Sequence, residues 1–236
     1  MTKAAGLDID IVRHPTARRV KLSLDPVTGR ARLTVPRRAT LKAALAWAET
    51  KRDWLDDQRT RLKPGRPFAP GTMLPVADRD LLIDWQAGTR RRVEVDGDRL
   101  SLSGPIDTVA RRVEAWLKRE ALVVLTRETH EYAGDAGVTI ARVGIGDARG
   151  RWGSCAANGT IRYSWRLILA PGWVRRATVA HEVAHRVHMN HGPDFHLLVA
   201  TLYGSDPTPA RTWLRQHGAA LHGFGLQGLG VGRGAS

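Results

Sequence analysis

The sequence of 236 residues contains a single cysteine, Cys155, so no disulfide can form within the chain. This agrees with a reducing compartment. The chain also lacks any run of about 18 uncharged apolar residues, which excludes a typical membrane-spanning helix. The first ten residues carry no apolar signal-peptide core. We therefore expect a cytoplasmic protein that has no membrane partner.

Acidic residues are scarce beside basic ones, with 23 against 37 and a formal net charge of +14. Much of the excess is arginine in short runs, at residues 18–19, 37–38, 90–92, 111–112 and 175–176. The runs permit a surface that binds nucleic-acid phosphates or an acidic partner. They are equally typical of solvated faces in an arginine-rich protein. Because the runs are scattered and no nucleic-acid-binding motif accompanies them, the second interpretation is favoured.

Hydrophobic periodicity predicts an α+β protein with a β-rich region at residues 1–105. Alternating apolar residues predict strands at 19–24 and 31–35, joined as a hairpin by a turn at 25–29. A helix is expected from Thr40 to about residue 62, followed by short strands at 81–85, 92–95 and 99–102. The strands are expected to pair antiparallel. No internal repeat is visible.

A second region, rich in helices, is predicted for residues 106–222. Asp107 would cap a long helix ending near residue 133, and strands are expected at 138–143 and 160–169. Three helices follow, of which the first starts after Pro171 and the others span about 193–203 and 207–219. The glycine-rich stretch 223–236 is expected to be a disordered tail.

One short segment contains the pattern His-Glu-x-x-His, formed by His181, Glu182 and His185. On a helix the two histidines lie one turn apart on one face, where they can bind one zinc ion. His188 shares that face but lies roughly 10 Å along the axis from His181, too far for Zn–N bonds of about 2 Å. Asn190, Gly192 and Pro193 break the helix, and His191 comes after the helix stops, so its backbone can fold back toward the metal and it is the better third ligand. His188 is then a second-shell or packing residue.

Three neutral nitrogen ligands leave a coordination position open, which is typical of a catalytic zinc site. Glu182 is predicted to act as general base on the zinc-bound water and to protonate the leaving amine. The leading hypothesis is therefore a zinc metallopeptidase with a protein or peptide substrate. Two alternatives remain: a nucleic-acid-associated protease that acts on DNA-bound proteins, and a non-catalytic metal-binding module. The oligomeric state is not predicted.

Three segments resemble the YgjP-like predicted metal-dependent hydrolases, relatives of the SprT-like and WLM-type zinc metallopeptidases. They are residues 151–155, residues 165–171, and the histidine motif continued to residue 191. The resemblance covers about residues 10–220. It implies zinc ligands at His181, His185 and His191 and a general base at Glu182. It also implies that residues 106–222 form a compact zincin-like domain, with a small antiparallel sheet packed on the active-site helix. The chain departs from the family at His196, where many relatives are expected to have an aromatic residue. His196 is either a surface histidine, which is favoured, or a second-shell group.

The same resemblance suggests roles for residues that precede the motif. The strand at 160–169 is either a sheet edge that binds an extended peptide or an ordinary buried strand. Arg151 is expected in a turn lining the cleft, where it could hold a substrate carboxylate or developing charge. Tyr163, Tyr203 and Arg151 are candidates for stabilising the oxyanion. Cys155 is expected to pack in the core, with a zinc-binding latch as the alternative.

Overall fold

A computed structural model describes residues 3–4, 7–25, 29–60, 65–88 and 92–226. The chain divides into two compact units, one ending at Gly65 and one spanning Arg66–Leu226. Our sequence-based boundary falls at residue 105 instead. The difference arises because the strands between residues 73 and 103 share one hydrophobic core with the helices that follow them.

The N-terminal unit contains a four-stranded sheet and two helices. The strands are β1 (Lys3–Ala4), β2 (Leu7–His14), β3 (Lys21–Leu24) and β4 (Ala31–Pro36), in the order β1-β2-β4-β3. The predicted β3–β4 hairpin is confirmed, and the buried residues of β4 alternate as expected. The single predicted helix is two, α1 (Leu41–Glu49) and α2 (Arg52–Thr60). Thr40 caps α1 by accepting a hydrogen bond from the Ala43 amide at 3.4 Å.

The C-terminal unit begins with a second four-stranded sheet. Its strands are β5 (Met73–Val76), β6 (Arg79–Gln86), β7 (Glu94–Asp96) and β8 (Arg99–Ser103), in the order β5-β6-β8-β7. Both four-stranded sheets are mixed, because β2 pairs parallel with β4 and β6 with β8. The expectation that these strands pair antiparallel throughout was therefore wrong for β2–β4 and β6–β8. Alternating hydrophobicity predicts a half-buried strand but carries no information on the direction of the neighbouring strand.

The long helix α3 (Val109–Asp135) follows a short 3-10 turn at Ile106–Thr108. Asp107 lies inside this turn and does not cap α3. A small third sheet comes next, with β9 (Arg142–Gly146), β10 (Gly153–Cys155) and β11 (Thr160–Ser164) in the order β10-β11-β9. β9 starts four residues later than the predicted strand at 138–143.

The predicted strand at 160–169 stops at Ser164, and residues Trp165–Leu169 form a 3-10 turn. All five residues of this turn are buried, a pattern without the alternation of a half-buried strand. β11 is the central strand of its sheet, so the edge-strand prediction for this segment was wrong. The two edge strands of this sheet are β10 and β9.

Three helices complete the C-terminal unit, as predicted: α4 (Gly172–Ala184), α5 (Pro193–Tyr203) and α6 (Thr208–Gly223). After α6, Phe224 is 3% exposed and forms a β-bridge with Arg66, so the first residues of the predicted disordered tail are packed. Residues 227–236 lie outside the described residues. No helix in the described parts of the chain is long and apolar enough to cross a membrane.

The β5–β6 turn fixes the start of α4. Ala77 and Asp78 form this turn with positive φ values of 49° and 65°, which are unfavourable for residues other than glycine. The Ala77 amide donates to the Ile168 carbonyl oxygen at 2.8 Å, and the Gly172 amide donates to Asp78 Oδ1 at 2.5 Å. A Cβ at Gly172 would lie 2.3 Å from Asp78 Oδ2, so only glycine allows this approach. The sheet thereby anchors the first residue of the helix that carries the histidine motif.

Candidate metal centre

The end of α4 and the following loop bring three histidines together. His181 lies in the last turn of α4 and His185 is its C-cap. The chain then tightens, since the Arg186 amide donates to the Val183 carbonyl oxygen at 2.8 Å and the Val187 amide to the Ala184 carbonyl oxygen at 3.0 Å. The loop returns His191 to the helix, with its Nε2 atom 3.4 Å from His181 Nε2. Possible ligand atoms of His181, His185 and His191 all lie within 4.8 Å of one another.

The protonation of these histidines suits a metal. Burial, with smaller contributions from His185 and His191, lowers the pKa of His181 to about 4. Burial also lowers the pKa of His185. Metal ligation needs neutral imidazole, so His181 and His185 meet this requirement near neutral pH. Three imidazole nitrogens that converge without an intervening carboxylate match a zinc-type donor set.

The loop also orients one ligand. His185 Nδ1 lies 3.0 Å from the His188 carbonyl oxygen. Because a carbonyl oxygen only accepts hydrogen bonds, Nδ1 must carry the proton, which leaves Nε2 free for a metal. The His188 side chain is not part of the cluster, as we expected from its position along the helix. Its contribution to the site is its backbone carbonyl.

Phe195 supports all three histidines, and sequence reasoning missed it. Its ring centroid lies 4.9, 4.5 and 4.7 Å from those of His181, His185 and His191, and its side chain is fully buried. It belongs to the first turn of α5, directly after Pro193 and Asp194. An apolar residue in the first turn after the helix break was the available signal. It packs in a small cluster with Ala184 and Val199.

Glu182 faces β10. Its side chain is buried, and burial raises its pKa to about 7, against a smaller opposing influence of Arg151. A Cβ built on Gly153 would lie 2.4 Å from Glu182 Oε1, so the carboxylate occupies the space that a side chain at position 153 would need. The glycine of the predicted turn is therefore needed for close approach to Glu182.

A cavity of about 250 Å³ opens beside Glu182 and His181. Arg151, Trp152 and Gly153 form one side of it, so the prediction that this segment lines the cleft agrees with the structure. His196 also lines the cavity, with its ring centroid 6.4 Å from that of His191. His196 is thus an exposed residue next to the site.

The two tyrosines proposed as oxyanion stabilisers lie elsewhere. Tyr163 is 2% exposed, its hydroxyl pairs with Thr129 Oγ1 at 3.0 Å, and burial raises its pKa. Tyr203 packs against the main hydrophobic core. Neither lines the cavity beside Glu182, because the strand and helix that carry them direct these side chains into the core. Cys155 is half-buried beside the same core and is not part of the histidine cluster.

A model of the YgjP-like metallopeptidase domain matches residues 18–217. The chain belongs to the YgjP-like family. The resemblance read from the motifs is therefore confirmed, and the protein is a metal-dependent peptidase that acts on protein or peptide substrates. The family also implies a divalent metal, and the three clustered histidines are suitable ligands. No curated protein and no solved structure matches the chain.

The YgjP-like domain also buries charged residues that hold α4 in place. Arg175 of α4 donates from Nε to both carboxylate oxygens of Glu128 on α3, at 3.0 and 3.1 Å, and from Nη2 to Asp78 at 3.3 Å. Arg175 and Glu128 are 4% and 1% exposed. The sequence placed Arg175 in an arginine pair assigned to a solvated face. Only its neighbour Arg176 fits that description, because α4 turns the two side chains to different faces.

Proposed function

We propose that the protein is a zinc-dependent metallopeptidase in which His181, His185 and His191 bind the metal and Glu182 is the general base. The observation that carries the proposal is the convergence of three imidazoles beside a buried carboxylate. Bound zinc would polarise the scissile carbonyl and acidify the attacking water. We further expect the enzyme to be cytoplasmic.

Glu182 suits proton transfer in both directions. A carboxyl group with a pKa of about 7 can accept the proton of the attacking water as the C–O bond forms. It can return that proton to the amine nitrogen as the C–N bond breaks, which regenerates the carboxylate. Arg151 lies in the wall of the cavity beside Glu182, where its guanidinium can bind a substrate carbonyl oxygen or carboxylate.

The decisive experiment separates metal binding from catalysis. Glu182→Gln is expected to retain one zinc per chain and to lose roughly 10²- to 10⁴-fold in peptide hydrolysis, because it removes the proton acceptor alone. His191→Ala should lose zinc, measured by elemental analysis after dialysis. His196→Ala is the matched control: it removes a neighbouring histidine of α5 and should keep zinc. A wild-type protein that binds zinc but cleaves no peptide library would be a non-catalytic metal-binding module.

A second candidate function, association with nucleic acid, is favoured by the charge distribution of the N-terminal unit. The parallel strands β2 and β4 both terminate at one end of the sheet, and the antiparallel strand β3 begins at that same end, which we call the basic edge. Seven exposed basic residues lie at or next to this edge: Arg13, Arg18, Arg19, Lys21, Arg37, Arg38 and Lys42. Within the described residues, none of them is ion-paired with a carboxylate. Such an edge suits a phosphate backbone, and hence a protease acting on DNA-bound proteins.

This second function has its own test. Labelled duplex DNA should bind with an affinity that falls steeply with salt, and replacing both Arg37 and Arg38 with Glu should weaken binding at least tenfold. The matched control replaces Arg52 and Arg59 with Glu. Both arginines lie on α2 and are ion-paired, with Glu49 and Asp56, so this change should have a smaller effect on binding. Absence of binding at low salt would remove this function and leave the peptidase proposal intact.

A further inference from the structure

The cavity beside Glu182 continues away from the histidines to α6. Its far wall is apolar and is formed by Val199, Pro207, Ala210 and Leu214. Pockets for whole small molecules measure about 300–1,000 Å³. A cavity of about 250 Å³ therefore suits one substrate side chain. The apolar wall favours an aliphatic or aromatic one.

The rim of the same cavity is basic. Arg151 lies on the side of β10 and Arg211 on the side of α6, and both side chains are exposed. The cavity lining contains one carboxylate, that of Glu182, which the proposed reaction requires as a base.

Neither rim arginine forms a salt bridge within the described residues, although Arg151 interacts electrostatically with Glu182 and Arg211 with Asp206. Arg211 donates from Nη2 to Thr208 Oγ1 at 3.2 Å, and no carboxylate oxygen lies within 4.0 Å of either guanidinium. An arginine that donates to a hydroxyl and has no carboxylate in salt-bridge contact retains donors for a ligand carboxylate. An acidic group on the substrate would complete the rim, whereas a basic one would be repelled.

We infer that this cavity is a specificity pocket that selects an apolar substrate residue flanked by an acidic one, and that Arg211 binds the acidic side chain. The inference rests on the proposed peptidase function and adds its substrate class. The cavity takes the apolar side chain against the wall of α5 and α6. Arg211 binds the neighbouring carboxylate at the rim.

The chain offers a closely matched control for Arg211. Arg215 lies one turn later on α6, is equally exposed, and donates to Thr212 Oγ1 at 2.9 Å, just as Arg211 donates to Thr208. Arg215 does not line the cavity. Arg211→Glu and Arg215→Glu therefore change the net charge and the local helix contacts alike, and differ in their position relative to the cavity.

The test measures binding apart from catalysis. Fluorescein-labelled hexapeptides with Leu-Glu, Leu-Lys or Ala-Glu at their centre are titrated with the zinc-loaded Glu182→Gln protein, and anisotropy gives the dissociation constants. We expect the Leu-Glu peptide to bind roughly tenfold more tightly than the other two. Adding Arg211→Glu should remove or reverse the preference for Glu over Lys and preserve that for Leu over Ala. Adding Arg215→Glu should change each constant by less than about twofold.

Equal effects of Arg211→Glu and Arg215→Glu would overturn the inference, because they would indicate general attraction of charge. So would equal binding of the three peptides, or no binding by any of them. Cleavage of the same peptides by the wild-type protein tests the proposed function separately. Selective binding without cleavage would sustain the pocket and refute the peptidase. Cleavage without selectivity would do the reverse.

Discussion

The sheet of β1–β4 and the sheet of β5–β8 share one topology. In each, the first two strands form an antiparallel pair, the second pairs parallel with the fourth, and the third covers the fourth from outside. Each is followed by a helix, α1 or α3. The repeat is invisible in the amino-acid sequence because it lies in the pairing of the backbone, which many side-chain patterns satisfy.

The two copies differ in what surrounds them. Among the described residues of the N-terminal unit, the buried core consists of seven apolar residues from β2, β4 and two nine-residue helices. All nine buried polar or charged residues of the described chain belong to the C-terminal unit. There the sheet is followed by a 27-residue helix and by α4. The shared strand topology is therefore not what distinguishes the unit that carries the candidate metal centre. That unit differs in its buried polar and charged residues and in the helices that pair with them.

The sharpest test of this contrast removes a buried charge. Arg175→Ala leaves Glu128 buried and unpaired, and should lower the free energy of unfolding of the C-terminal unit by about 3–5 kcal/mol. The N-terminal unit offers an exposed counterpart, the Arg52–Glu49 pair, and Arg52→Ala should cost less than about 1 kcal/mol. Urea unfolding measures both. Similar losses from the two changes would erase the distinction between the units.

Equivalent apolar positions test whether the two units unfold separately. Leu33 of β4 and Leu100 of β8 are both fully buried in corresponding strands. Each change to Ala should cost its own unit about 2–5 kcal/mol. Zinc stabilises the folded form that binds it, so added zinc should offset the loss for Leu100→Ala but not for Leu33→Ala. A single transition that zinc shifts equally in both variants would mean that the units unfold together.

The smallest effect is the pH dependence of the C-terminal unit, measured with metal removed by a chelator. The pKa of Glu182 is about 7 in the folded protein and ordinarily 4.5, so between these values only the folded state retains the proton. Its contribution to stability is full below pH 4.5 and falls by about 1.4 kcal/mol per pH unit up to about pH 7. His181, with its pKa lowered to about 4, contributes in the opposite direction from about pH 4 to 6.5.

Burial also lowers the pKa of His185 and His222, so several histidines oppose Glu182, and Glu182→Gln should gain stability with rising pH more steeply than the wild-type unit over this window. Chemical unfolding at pH 5, 6 and 7 gives both curves, and their difference isolates Glu182. Parallel curves would show that the carboxyl group is solvated in the metal-free protein and titrates near its ordinary pKa.

Local patterns predicted the helices and the histidine cluster well. Helical spacing is enough to pair His181 with His185, and the helix break next to Gly192 is enough to select His191. Both inferences concern residues within a single turn and the loop after it. Contacts between distant segments were beyond such reasoning. The Arg175–Glu128 pair joins residues 47 positions apart, and the Tyr163–Thr129 bond joins residues 34 apart. Nothing within either segment marks its partner, so Arg175 was assigned to the surface and Tyr163 to the cleft.

The close approach of Gly153 to Glu182 has a consequence for comparing members of the family. The position of the Glu182 carboxylate, the proposed general base, depends on the absence of a side chain at Gly153 on a different strand. An intact His-Glu-x-x-His motif therefore does not by itself identify an active chain. A relative with any side chain at the position of Gly153 would have to relocate its carboxylate. The residue at that position therefore offers a simple criterion, read directly from sequence, for separating functional peptidases from degenerate copies.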